Sequence, residues 1–181
     1  MWPWIIGGLI VLWLVRGSQI GVGSATVPQL PGTAGIVQTM GLMRTMTNQA
    51  IADPLIRQHA TRATEHVGRR NPKAAAVAIG EWVRGHMRYV PDPLRHEHLT
   101  NPATIAKAIA EGRKVYGDCD DMSMYVAALA KSIGMQPIFH AAGRTDRIHH
   151  VYTEVAGVPI DPTVSFGLKP FDARRRISLK V

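Results

Sequence analysis

Gly117-Asp118-Cys119-Asp120-Asp121 runs directly into Met122-Ser123-Met124-Tyr125-Val126-Ala127-Ala128-Leu129-Ala130, and this junction decides the fold. Gly117 closes the approach. Asp118 is a good N-cap, and Asp121 three residues on resembles a capping box with a shorter acid. Met122, Val126, Leu129, Ala130 and Ile133 then recur at helical spacing, which predicts a helix over about 119–133 with Gly134 as its terminator. The single cysteine of the chain falls in the first turn. Downstream, 136–142, about 149–155 and about 158–161 read as strands, and Ala156-Gly157 makes a tight hairpin turn between the last two.

Upstream the pattern is helical. Among the apolar residues Ile36, Val37, Met40, Met43, Met46 and Ile51, spacings of three and four from 36 to 46 suggest an amphipathic helix, and the methionine row reads as packing. Asp53-Pro54, Asn71-Pro72 and Asn101-Pro102 each pair a capping side chain with a proline at the first turn, where its missing N–H costs nothing. They predict helices at about 54–67, 72–87 and 102–111. Arg88-Tyr89-Val90 is a short extended exit, Pro91-Asp92-Pro93 breaks the chain, and 94–100 reads as a loop. Helices first and strands after indicate an α+β domain.

With 181 residues, 46% of them apolar, the chain suits one domain with a real core. The net charge of +8 is uneven. It clusters at Arg57, Arg62, Arg69, Arg70 and Lys73, and again at Lys169, Arg174, Arg175, Arg176 and Lys180. Such a face is either solvated or meets an anionic partner; no specific nucleic-acid motif accompanies it. One cysteine excludes a disulfide framework and a Cys-rich zinc site. Residues 1–16 form a hydrophobic N-terminal segment with Trp2, Trp4 and Trp13 near its ends. It is expected to be a membrane anchor, with an assembly peg or a cleaved signal as the competing readings; a signal should carry a basic residue before the apolar run. If it anchors, the domain stays on the cytoplasmic side. Residues 17–35, rich in Gly, Ser and Pro, read as a linker, 36–165 as the folded domain and 166–181 as a basic C-terminal tail.

Cysteine in a first helical turn faces unpaired N–H groups and the positive end of the helix dipole, both of which favour thiolate. A following strand opens with His149-His150, and Asp161 ends the hairpin strand that turns back toward 150–152. Cys119 as nucleophile, His150 as base and Asp161 as the group that fixes the imidazole would support acyl transfer through a thioester. The backbone N–H of Cys119 is the one identifiable oxyanion donor; Tyr116 reads as packing. Each residue has a plainer reading: Cys119 as a small core residue, His149 or His150 as the strand residue facing away, Asp161 as a turn residue before Pro162. Asp118, Asp120 and Asp121 make the locality poor core but also oppose thiolate formation. A metal site built from His96, His98, His149 and His150 is a minor reading, because its His-Glu-His pair falls in the expected loop. No cofactor is expected.

Gly-Asp-Cys-Asp-Asp opening a helix, then His-Val-Tyr-Thr-Glu-Val, then Ile-Asp-Pro-Thr, resembles the transglutaminase-like superfamily of papain-like cysteine enzymes, above all its short members in bacteria, tailed phages and prophages. Upstream, Asp53–Arg57, Trp82-Val83, Met87–Pro93, Glu97 and Pro102 fit as well. The resemblance covers about 36–165. It implies a Cys119–His150–Asp161 triad, His150 rather than His149 as the histidine, and a papain-like core with the cysteine helix packed on an antiparallel sheet. It implies a cysteine-dependent enzyme acting on amide bonds of a protein or peptide substrate, protease or amidase ahead of cross-linking. The alternative is a structural component of a virion or membrane assembly that keeps the fold. Both place the protein at a membrane or in a virion.

Overall fold

Residues 19–20, 23–28, 32–67, 70–93, 96–143, 147–164 and 174–181 are described by the structure, a computed structural model. The reading of 1–16 as an anchor, peg or signal lies outside them. Among the described residues no helix is long and apolar enough to cross a membrane.

The architecture is mixed α+β, built around one helix. Residues Gly32–Ala50 form α1, Pro54–Thr64 α2, Pro72–His86 α3, Pro102–Ala110 α4 and Cys119–Ser132 α5. In α5 every residue from Asp120 to Ala130 is buried. Its sequence explains this: apolar side chains occur all round the helix, so all of its faces need cover. One side packs Met122, Tyr125, Val126 and Leu129 against Ile56 of α2, Ile79 and Val83 of α3, and Ile105 of α4. The other side sets Met124 and Ala127 against Met40, Met43 and Met46 of α1 and against Phe139, Ala141 and Val151 of a sheet. Polar fastening adds to this: His59, 1% exposed, shares a 2.6 Å hydrogen bond with the Tyr125 hydroxyl, and burial lowers its pKa. The three Asx-Pro starts act as read. Asp53 accepts from Leu55 N–H, Asn71 from Ala74 N–H and Asn101 from Ala103 N–H, each worth about 1 kcal/mol.

The sheet beneath α5 has four antiparallel strands among the described residues. Their order is Val158–Ile160 (β8), His150–Val155 (β7), Pro137–Gly143 (β6) and Arg175–Lys180 (β9). The β7–β8 hairpin turns on Ala156 and Gly157, both at positive φ (53° and 74°), as a two-residue turn matched to strand twist requires. Thr153 donates to Ser123 O at 2.9 Å and Ser123 to Val151 O at 3.3 Å, which pins β7 to α5.

Three stretches depart from the sequence reading. Ser24–Pro28 (β2), within the expected linker, pairs antiparallel with His96–Thr100 (β4), within the expected loop, and carries Gln19–Ile20 (β1) on its other side. Among the residues of these strands whose burial is described, Ala25 and Leu99, which face each other in register, are the deeply buried pair, and neither stretch offered a periodic pattern to read. The helix α1 also begins at Gly32, before the expected domain boundary. The end of the basic tail forms the edge strand β9, residues 166–173 lying outside the described residues: Ile177, Leu179 and Val181 alternate inward against the cluster of Met124 and Phe139 while Arg176, Ser178 and Lys180 stay exposed. Met87–Tyr89 (β3) and Val115–Gly117 (β5) form a short parallel pair that sets Tyr89 level with Gly117.

Candidate active site

At the N-terminus of α5 the chain opens into a cleft of about 710 Å³. Its walls are the first half of α1 (Ile36, Thr39, Met40, Met43), the exit from β3 (Tyr89, Pro91, Asp92), Glu97 of β4, residues 118–120, the approach to β7 (Arg147, His149, His150) and Arg175 of β9. Cys119 is partly exposed to it. The cap that holds the cysteine is Asp118, whose Oδ1 accepts from the N–H groups of Asp120 (3.0 Å) and Asp121 (3.4 Å). Asp121 points back into the fold and accepts from Thr100 N–H at 2.7 Å, which ties β4 to α5.

His150 begins β7 opposite Ala142. Its Nε2 lies 2.6 Å from Asp161 Oδ2, and both side chains are nearly buried. Asp161 follows β8 directly, so the hairpin register brings it alongside the start of β7. Thr163 steadies the carboxylate with its N–H (3.1 Å) and its hydroxyl (2.6 Å). Burial works to raise the pKa of Asp161, but the bonds from His150 and Thr163 outweigh it, and the net shift is downward. The neighbour of His150, Val151, sends its backbone N–H to the Cys119 sulfur. Cys119, His150 and His149 thus line one cleft. The ring of His149 is engaged elsewhere, its Nδ1 3.2 Å from Arg147 O.

Of the opposed effects that the sequence sets on Cys119, the acids prevail, with burial. Burial first, then the charges of Asp120 and Asp118, push the Cys119 thiol well above its ordinary range; the Val151 N–H works the other way. The thiol donates to Asp120 Oδ1 at 3.5 Å. The dipole and the cap are present, but desolvation of a sulfur anion beside carboxylates exceeds them. The acids are displaced too. Burial and then the charge of Asp118 push Asp120 well up, burial and then Asp92 raise Asp118 to about 6, and burial takes Asp121 to about 8 against the bonds from Thr100. The cluster therefore shares protons near neutrality.

Tyr116, expected to pack, is 55% exposed and lines a separate cavity beside His86 and Arg113. Of the histidines in the metal reading, His98 pairs with Thr26 Oγ1 at 3.0 Å and His150 with Asp161. Among the described residues, the groups whose ligand atoms lie within 4.8 Å of one another are Asp92–Glu97–Asp118 and Asp118–Cys119–Asp120, which include no histidine. Tyr89 and Asp92 received no role from the sequence. Their one signal was position: both sit where the chain leaves β3, beside the strand that delivers Cys119. Comparison with protein-family models, with curated proteins and with solved structures yields no match for this chain.

Proposed function

We propose that the chain is a cysteine-dependent acyl-transfer enzyme of transglutaminase-like type that acts on amide bonds of a protein or peptide, by hydrolysis ahead of cross-linking. The observation that carries this is the 2.6 Å His150–Asp161 pair on the wall of the cleft into which Cys119 opens. In fold the reading corresponds to a papain-like core, supported by the sequential order of cysteine helix, histidine strand and aspartate along α5, β7 and the end of β8.

In this reaction the Cys119 sulfur attacks the amide carbon, and the carbonyl π electrons move onto oxygen. His150 takes the thiol proton. Asp161 holds Nε2, which leaves the exchange with sulfur to Nδ1 and stabilises the imidazolium that forms. The backbone N–H of Cys119, at a helix position without an intrahelical acceptor, faces the developing oxyanion. Collapse breaks the C–N bond, and His150 returns the proton to the departing amine. Water, deprotonated by His150, then cleaves the thioester and restores the thiol.

A second reading, a structural component of a virion or membrane assembly that keeps this fold without using the site, is favoured by the setting of Cys119, where burial and the neighbouring Asp120 and Asp118 push the thiol well above its ordinary range. Incubating candidate peptides with the intact protein and with Cys119→Ala, followed by mass spectrometry, separates the two. Hydrolysis adds the elements of water, deamidation exchanges NH₂ for OH, and transamidation adds an amine with loss of ammonia. A Cys119-dependent product supports the enzyme; none from a broad peptide set supports the structural component.

A further inference from the structure

The β3–β5 pair has an outer face that the proposed reaction does not use. Met87, Val115 and Gly117 are buried, while Arg88 and Tyr116, partners in the parallel register, stay exposed side by side. Both line a cavity of about 460 Å³, the scale of a small-ligand site, and it shares no lining residue with the cleft. The turn after α4 supplies the rest of its charge. Gly112 has a φ of 70°; its N–H donates to Ile109 O at 3.0 Å, and Arg113 N–H donates to Ala108 O at 2.9 Å. Arg113 and Lys114 are thus presented to the cavity from a hydrogen-bonded turn, with Arg113 also held by Glu111 at 2.7 Å. Among the described residues no carboxylate lines this cavity, whereas Asp92, Glu97, Asp118 and Asp120 line the cleft. Ile109 and the buried Val115 add apolar surface.

Cations alone would suit any anion. An aromatic ring fixed beside an arginine narrows the ligand, because the exposed face of Tyr116 can stack on a planar base while guanidinium and ammonium groups meet its phosphates. A concave wall is a poor match for a lipid surface, and an acidic peptide would leave the ring without a partner. We infer that this cavity binds a nucleotide, with the base on Tyr116 and the phosphate met by Arg88, Arg113 and Lys114, either free or within a single strand of nucleic acid. The site lies beyond the acyl-transfer reading and does not depend on it.

Fluorescence anisotropy on the full chain tests this with two probes, a fluorescein-labelled oligodeoxythymidylate and a fluorescently labelled adenosine diphosphate. Inorganic pyrophosphate, which has phosphates and no base, and polyglutamate, which has neither, serve as competitors. At least one probe should bind, and Tyr116→Leu should weaken it roughly tenfold, the scale of one lost stacking contact, with its salt dependence unchanged. Lys114→Gln should instead make the slope of log affinity against log salt shallower, by about 0.7 for the strand, as loss of one phosphate contact requires. Both side chains are exposed, so neither change removes core packing. Tighter binding of the strand than of the diphosphate assigns nucleic acid as the source; comparable binding of the two assigns a free nucleotide. Affinity that ignores Tyr116→Leu, a salt slope that ignores Lys114→Gln, or displacement by pyrophosphate or polyglutamate as effective as by unlabelled probe overturns the inference in favour of a general anionic contact. Failure of both probes to bind overturns it outright.

Discussion

Asp121→Asn tests the electrostatic account of the α5 terminus without reference to activity. Asp121 is 3% exposed and accepts from Thr100 N–H at 2.7 Å and from its hydroxyl at 3.4 Å. Asparagine keeps the shape and an acceptor oxygen for that N–H. In the fold the carboxyl titrates at about 8 because burial disfavours its charge; in the unfolded chain it titrates at about 3.9. Between those values the folded state holds a proton that the unfolded state has released. Stability therefore falls as pH rises, by about 1.4 kcal/mol per pH unit, and the loss levels off only above the folded value. From pH 5.5 to pH 8 this single group removes about 3 kcal/mol. Urea unfolding of both chains at those two pH values should show the wild type losing about 3 kcal/mol more than Asp121→Asn. Asp118 and Asp120 are shifted in the same direction and remain in both chains, so the difference reports Asp121 together with its charge coupling to them. If the two chains change in parallel, to within about 0.5 kcal/mol, the carboxyl is not paying for its burial and the account of the cluster is wrong.

Asp161→Asn should lower kcat/KM on any Cys119-dependent substrate by roughly 10³- to 10⁴-fold, the scale known for losing the carboxylate behind a catalytic histidine. Because the folded pKa of Asp161 is depressed, its own contribution to stability is present above about pH 4 and is lost as pH falls through the folded value. Gly117→Ala would bring a Cβ to 2.7 Å from both Cβ and Oδ2 of Asp121 and 3.1 Å from the Met87 methyl. Thermal unfolding should report a loss of about 1–3 kcal/mol, and an unchanged transition would refute the close packing at this turn.

Legibility followed local periodicity. The Asx-Pro starts, the Asp118 cap and the Ala156-Gly157 turn are short-range devices in which the deciding atoms are a few residues apart, and each formed as read. The strand β2 could not be read this way, because its reason for being extended is β4, some seventy residues on, against which Ala25 is buried. The edge strand β9 hid its alternation of Ile177, Leu179 and Val181 behind a run of arginines that dominates composition. In the cleft, the sequence named the residue types that could act and the hairpin that carries His150 and Asp161. The place of Tyr89 in the cleft wall was not legible, because it depends on a parallel pairing across twenty-eight residues of chain. The burial of Cys119 was hidden for a related reason: helix dipole and cap are local, while the burial that opposes them comes from α1 and β7.

That charge state constrains the proposed chemistry. An enzyme that rests as a thiolate–imidazolium pair draws on a sulfur already ionised, which this site disfavours through burial and through Asp120 and Asp118. A neutral thiol and a neutral imidazole carry no such penalty, and proton transfer between them leaves the net charge unchanged. The site is thus suited to general-base attack, with the S–H bond yielding to His150 as the S–C bond forms. Substrate entry lowers the remaining barrier by placing a carbonyl oxygen against the Cys119 N–H, so that negative charge passes on to an atom with a donor waiting. The carboxyls then have a definite effect on rate. Protonation of Asp118, near its value of about 6, removes one opposing charge from the sulfur. The rate of Cys119 alkylation should therefore fall less steeply with pH below about 6 than above it, and Asp118→Asn should remove that inflection.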